Sequence, residues 1–207
     1  MTEPALSEDR RDALQEIANL AMGQAARRLA LLLDAFIELS VPRVRVVAAN
    51  QAAAVLRDMT GISEPIMAVR QGFRSDIKGE AIVLCRSSGV EQLCALVNDP
   101  YPGSAYESTG QQELVFDIAN VLTGACVSCI FEQLGRTPVF SAPGLLGTAM
   151  PIEDVFQAST VAWATTLLVE VNFALEDRTF RAHLVMLMAE DSIRRIGEAL
   201  DSLLSSL

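Results

Sequence analysis

No uninterrupted apolar run in this 207-residue chain reaches the roughly 18 residues that a membrane span needs. The runs near Leu29–Leu33 and Thr165–Val169 both stop at charges. The opening stretch MTEPALSEDRRD lacks the basic-then-apolar order of a secretory signal, so the cytoplasm is the expected location. Basic runs are missing too. Lysine and arginine number 16 against 26 acids, a net charge of −10, and the basic residues are scattered or at most paired. Such a surface disfavours nonspecific binding of nucleic acid or anionic lipid and suits a protein partner with a basic patch. Histidine is nearly absent. The one copy, His183, stands in the run FRAHLVML without a ligand set around it and reads as a strand residue. Four cysteines include a single Cys126-x-x-Cys129 inside an apolar helical stretch, with no second CxxC. Small core residues in a reducing compartment explain it better than a redox or zinc half-site.

Apolar residues are abundant at 51%, enough for a sizeable core in one larger domain or two small ones. Their arrangement repeats. DALQEIAN at Asp12–Asn19 returns as ELVFDIAN at Glu113–Asn120. One offset of 101 residues relates Asn19 to Asn120, Glu16 to Asp117, Gly23 to Gly124 and Pro42 to Pro143. Four landmarks at one spacing indicate an internal duplication. The expected boundaries are about 7–98 for the first half and 107–207 for the second, within a single unit spanning 1–207.

Each copy sits on an amphipathic helix. With Leu14 at zero, Asp12, Glu16, Asn19 and Gly23 fall between about 140° and 200° on the wheel. Leu14, Ala18, Ala21, Ala25, Leu29 and Leu32 lie on the opposite side and form the buried stripe. In the second copy Val115, Ile118, Ala119, Leu122, Cys126 and Ile130 form the inner stripe. Glu113, Asp117, Asn120 and Gly124 form the outer one.

The remaining elements follow from turn chemistry and periodicity. Ser7 is a plausible N-cap, with Glu8 and Asp9 in the first turn, and the helix runs to about Leu33. Strands are expected at Phe36–Ser40 and, past the Pro42 interruption, around Val44–Val47. A short helix covers Gln51–Met59. Ile66–Arg70 and Gln71–Asp76 read as strands broken at Gly72, Lys78-Gly79 as a turn, Glu80–Cys85 as a buried strand and Gly89–Val97 as a helix. Asn98–Tyr106 is a turn-rich linker. Thr109-x-x-Gln112 resembles a capping box for a helix ending near Leu134 at Gly135. Val139–Ser141 is strand, Pro143-Gly144 a turn, Thr160–Ala174 a long strand region, Glu176-Asp177 a turn, Phe180–Met188 a strand and Ser192–Leu204 the closing helix. The fold class is α+β: two pseudo-symmetric helix-then-strands halves sharing a mostly antiparallel sheet covered by two long helices.

On a helix, residues three and four apart are neighbours, so Glu16 and Asn19 reach one point with Asp12 a turn below. A metal site would want oxygen ligands from several elements, and acid–base catalysis would want a cleft. One straight helix face supplies neither, so no metal ligands are assigned. Docking fits better. Gly23 and Gly124 lie mid-helix on the outer stripe, where glycine costs about 1 kcal/mol relative to alanine. A missing side chain there admits a partner's backbone. The amide oxygen of an asparagine can accept from a water while its NH₂ donates elsewhere, and phosphoryl transfer to water needs chiefly a water held in line.

The pattern acid-x3-Glu-x2-Asn-x22-Pro at Asp12, Glu16, Asn19 and Pro42 resembles the signature of the CheC/CheX/FliY family of bacterial chemotaxis phosphatases. Glu113, Asp117, Asn120 and Pro143 match its spacing with Asp in place of Glu. The two-site layout and length resemble CheC. The resemblance implies hydrolysis of the aspartyl phosphate on a CheY-type response regulator. Asn19 and Asn120 would orient water, Glu16 and Asp117 would pair with the regulator's active-site lysine, and Asp12 and Glu113 would support docking. It implies no cofactor of the protein's own; Mg²⁺ would be carried by the regulator. A monomer is expected, with the CheD deamidase as a further candidate partner. The alternative is a non-catalytic adaptor that docks on a regulator or on CheD. A purely flagellar-switch role is disfavoured by the lack of an additional switch domain in this span. Asp117 is one methylene shorter than Glu, so site one is expected to be the stronger.

Overall fold

The computed structural model describes residues 6–97, 107–157, 165–175 and 180–205. In chain order the elements are α1 (Glu8–Leu33), β1 (Ile37–Leu39), β2 (Arg43–Ala48), α2 (Ala52–Thr60), β3 (Ile66–Arg74), β4 (Lys78–Arg86) and α3 (Ser87–Val97). Then follow α4 (Glu107–Gln133), β5 (Val139–Phe140), β6 (Gly144–Met150), α5 (Asp154–Gln157), β7 (Thr165–Leu175), β8 (Arg181–Ala189) and α6 (Glu190–Leu204). A single 3-10 turn, Ala49–Gln51, leads into α2.

One eight-stranded sheet runs β1-β7-β8-β4-β3-β5, with β2 also on β7 and β6 also on β3. Every pairing is antiparallel. The order reads the same from either end once the halves are exchanged, with the pseudo-twofold between β8 and β4. The short strands of each half lie on the long hairpin of the other. β1 and β2 pair with β7, while β5 and β6 pair with β3.

The central strands are buried on both faces. Ala81–Cys85 and Leu184–Met188 are therefore continuous apolar runs rather than alternating ones. One face packs under α1, α4, α3 and α6. Leu14, Ile17, Ala18 and Leu29 of α1 and Val115, Ile118, Leu122 and Ile130 of α4 meet Val69, Val83, Val171 and Leu184 there. Phe131 of α4 meets Phe73 of β3 edge-on, centroids 5.3 Å apart. The other face packs under α2 and α5 through Leu56, Met59, Ile152 and Val155 over Ile82, Leu84, Leu168 and Val185. Truncating one of these buried leucines or isoleucines to alanine costs roughly 2–5 kcal/mol.

The α+β class, the shared antiparallel sheet and the two long covering helices are as expected. So is the Ser7 cap, whose side chain accepts from the Arg10 N–H at 3.4 Å. Gly135 ends the α4 region with φ +69°. Several details differ. Leu32 is exposed, because α1 has left the core by its last turn and ends at Asp34 in left-handed geometry. Gly72 does not break a strand: β3 is continuous, and the Gly72 N–H donates to the Ser141 hydroxyl oxygen at 2.9 Å. Lys78-Gly79 is not a turn; both residues open β4. A Cβ on Gly79 would lie 2.5 Å from the Leu187 carbonyl oxygen and 2.5 Å from Phe73 Cζ, so close packing rather than turning requires the glycine. Gly144 is likewise strand, the start of β6, which the sequence reading did not anticipate; nor did it anticipate α5. α4 begins at Glu107, so Thr109 lies inside the helix and is not its cap. The linker at 98–106, the start of the expected strand at 160–164 and the turn at 176–177 fall outside the described residues.

Among the described residues one helix, Gly110–Gln133, is long and apolar enough to cross a membrane, and 61% of its apolar 18-residue window is buried inside the fold. Its apolarity is that of a core helix packed on both a sheet and a second helix.

Candidate functional site

α1 and α4 lie against each other at their small residues. Cys126 Sγ sits 3.9 Å from the Ala21 carbonyl oxygen, a closeness that alanines at 18, 21 and 25 allow. The buried stripes thereby turn down and inward, and the opposite stripes face away from the sheet. Asp12, Glu16, Asn19 and Gly23 are all exposed. So are Glu113, Asp117 and Asn120, with Gly124 half-buried. The two clusters occupy matched positions on the two central helices of one layer.

Neither Glu16 nor Asn19 makes a side-chain hydrogen bond or ion pair among the described residues, and the same holds for Asp117 and Asn120. Asp12 has only a loose contact, 3.8 Å from Arg11 Nε, with its side chain 67% exposed. Both pairs are therefore held on helical backbone and, among the described residues, left without side-chain partners. Helix spacing brings Glu16 together with Asn19 and Asp117 with Asn120. Among the described residues both pairs lie on exposed helix surface.

The glycines are informative. A Cβ on Gly23 or on Gly124 would meet nothing within 4 Å. Packing inside the chain does not require either glycine, although each weakens its helix. Pro42 is buried at the residue preceding β2, and Pro143 is half-buried preceding β6. Both have a structural place, starting the short strands that cross to the other half.

Among the described residues no group of three or more His, Cys, Asp or Glu side chains could hold a metal. Cys126 and Cys129 are free and buried. Burial, reinforced by the neighbouring Cys129, pushes the Cys126 thiol up; burial also pushes Cys85 up to about 12. These are core thiols held protonated.

One polar cluster escaped the sequence reading. Glu170 of β7 is fully buried. Its Oε1 lies 2.7 Å from His183 Nδ1, and its Oε2 accepts from Arg43 Nε at 3.0 Å. Arg43 also donates to the Met59 carbonyl at the end of α2. A signal existed: an acid inside the apolar strand TTLLVEVNFAL demands a partner. Its position on the α2 side of the sheet, beneath the face opposite α1 and α4, makes it a structural tie rather than part of the exposed site.

With this geometry in place, comparisons locate the chain among known proteins. A model of the CheC-like family matches residues 10–46, the stretch that holds Asp12, Glu16, Asn19, Gly23 and Pro42. The solved FliY of Thermotoga maritima is 18% identical, with 96% of this chain and 98% of that chain covered at a TM-score of 0.70. The FliM middle domain of H. pylori is 10% identical, with 94% and 99% covered at 0.59. CheX of Desulfovibrio desulfuricans is 12% identical, with 83% and 99% covered at 0.53. At such identities the likeness to these structures is one of fold.

Proposed function

The chain is CheC-like in its first motif and shares the CheC/CheX/FliY fold, and from that premise we propose that it is a phosphatase acting on the aspartyl phosphate of a CheY-type response regulator. The observation that carries this reading is the exposed, unpaired Glu16–Asn19 pair on a rigid helix, beside a glycine that internal packing does not need. Such a pair lies on exposed helix surface, so a partner must complete the active site. Asn19 inserts beside the phospho-aspartate. Its side-chain oxygen accepts from the attacking water and holds it in line with the phosphorus, while its NH₂ donates across the interface. Glu16, one turn away, pairs with the regulator's lysine and sets the register; Asp12 adds negative charge at the same edge. The open space at Gly23 lets the partner's backbone approach. Mg²⁺ belongs to the regulator's side of the interface. Asn120 and Asp117 repeat the arrangement with a shorter carboxylate. A cytoplasmic setting and a regulator partner go with this reading.

The fold does not itself carry hydrolysis, since the FliM middle domain shares it with CheX. Nor does length separate the flagellar reading, because the solved FliY chain is covered almost completely. A second reading, an adaptor that docks on a regulator or on CheD without turnover, is favoured by Asp117, which weakens one of the two sites. The test is the decay of a phosphorylated CheY-type receiver domain with wild type, Asn19→Ala and Glu16→Gln. Wild type should accelerate decay, and Asn19→Ala should lose on the order of 100-fold, the cost of losing a positioned reactant. Binding without acceleration would leave the adaptor reading in its place.

A further inference from the structure

The outer line of α1 continues past Asn19 into residues that the catalytic pair does not use. Leu20, Arg27 and Leu31 follow Glu16 at steps of four, seven and four, which keeps all four within about 60° of one another on the helix. Leu20 is 59% exposed and Leu31 78%. Arg27 is exposed and unpaired among the described residues. From Glu16 to Leu31 the line is about 22 Å long at 1.5 Å per residue, a fair share of the width of a standard protein–protein contact.

Single exposed leucines are ordinary. The internal twin makes these informative. The 101-residue offset places Val121, Ser128 and Glu132 where α1 has Leu20, Arg27 and Leu31. Val121 is half-buried and Glu132 is an exposed acid. The copy that shortened Glu to Asp117 is therefore also the copy that lacks the apolar and basic line. Two kinds of feature differ together between the two sites, although both helices keep the same core stripe.

We propose that Leu20, Arg27 and Leu31 extend site one into a docking footprint for the regulator's receiver domain, and that this footprint, absent from α4, makes site one the productive one. The inference rests on the phosphatase reading above and adds to it the surface that selects the partner. Charge orders that surface: acids Asp12 and Glu16 at one end, Arg27 at the other, leucines between and beyond. The receiver face that fits presents a basic group beside its phospho-aspartate, an apolar patch next to it, and an acidic group about 16 Å along from the basic one, the rise from Glu16 to Arg27.

The test uses the full chain with Leu20→Asp, Leu31→Asp and Arg27→Glu, and Val139→Asp as a control at an exposed apolar residue on the opposite sheet edge, 66% exposed. KM and kcat are measured on a phosphorylated CheY-type receiver domain, Kd on the same domain activated with beryllofluoride, and self-association by sedimentation. The leucine variants should raise KM and Kd about tenfold, as loss of an interface anchor does, with kcat within about twofold of wild type. Arg27→Glu should weaken binding in a way that salt diminishes. The control should leave all three constants unchanged. Unaltered KM and Kd in the leucine variants would overturn the footprint, as would a change in self-association in place of receiver affinity. Failure of the underlying reading looks different: wild type and Asn19→Ala would then hydrolyse equally, whatever the leucine variants do to Kd.

Discussion

α1 and α4 are one design used twice, and they differ in what faces outward. Inward, Leu14, Ala18, Ala21 and Leu29 correspond to Val115, Ala119, Leu122 and Ile130, all buried. Outward, Glu16 meets Asp117, Arg27 meets Ser128 and Leu31 meets Glu132. A duplicated fold has to keep the residues that fill its core, because each large-to-small change there costs several kcal/mol. An exposed face has no such constraint and holds only what a partner requires. The difference between the helices therefore points to the partner, and their sameness points to the sheet beneath.

The sheet has its own asymmetry, and it supports the largest effect expected. The Arg43–Glu170–His183 tie joins β2, β7 and β8 around a fully buried Glu170, whereas on the other edge strand register puts Gly144 opposite Arg70, which pairs only loosely, at 3.7 Å, with the half-buried Glu80 of β4. Glu170→Ala should lower stability by about 3 kcal/mol, the lower end of what breaking a buried ion pair costs, since Arg43 is partly exposed. Chemical denaturation checks this, and an unchanged midpoint would mean that the two edges are energetically alike. Next in size, Asp117→Glu in an Asn19→Ala background should raise the residual dephosphorylation rate about tenfold by restoring carboxylate reach. No change would remove the methylene as the reason for a weak second site. Gly23→Ala and Gly124→Ala should each stabilise the chain by about 1 kcal/mol, because the added methyl meets nothing and helix propensity improves. Only Gly23→Ala should also slow hydrolysis; equal effects of the two on rate would erase the distinction between the sites.

The smallest expected effect concerns acid. Burial raises the Asp76 carboxyl, but hydrogen bonds from Arg136 and Ser75 and the Arg136 charge together bring it below its ordinary value. Asp201 is lowered by the hydrogen bond and charge of Arg10, against a small opposing burial. A lowered carboxyl contributes stability above its unfolded value near 3.8 and loses it as pH falls through the folded value. Tm should therefore decline slightly below about pH 4, and Arg10→Leu and Arg136→Leu should each flatten that decline. Both pairs are exposed, so salt should weaken them.

Much of this was legible in the sequence where period and offset coincide. The 101-residue repeat located both helices, both outer clusters and the pseudo-symmetric sheet. Gly79 was misread because a glycine beside a lysine looks like a turn, whereas here it admits Phe73 and the β8 backbone. β6, GLLGTAM, was missed because its two glycines and lack of alternation carry no strand signal; it exists because the β3 edge needs a partner. Glu170 in its apolar strand signals a buried partner, but which partners it takes was not legible, because Arg43 and His183 lie 127 and 13 residues away and meet it only through strand register.

The exchange of short strands between halves has a consequence for biosynthesis. While the first half emerges from the ribosome, β3 has β4 but neither β5 nor β6, and β1 and β2 have no β7 to join. The nascent chain therefore offers unpaired edges and a half-covered α1 until almost the last strand is made. Folding of the sheet must wait for contacts distant in sequence, which places it among slow, high-contact-order folders. During synthesis this exposes it to edge-on association, which chaperones limit.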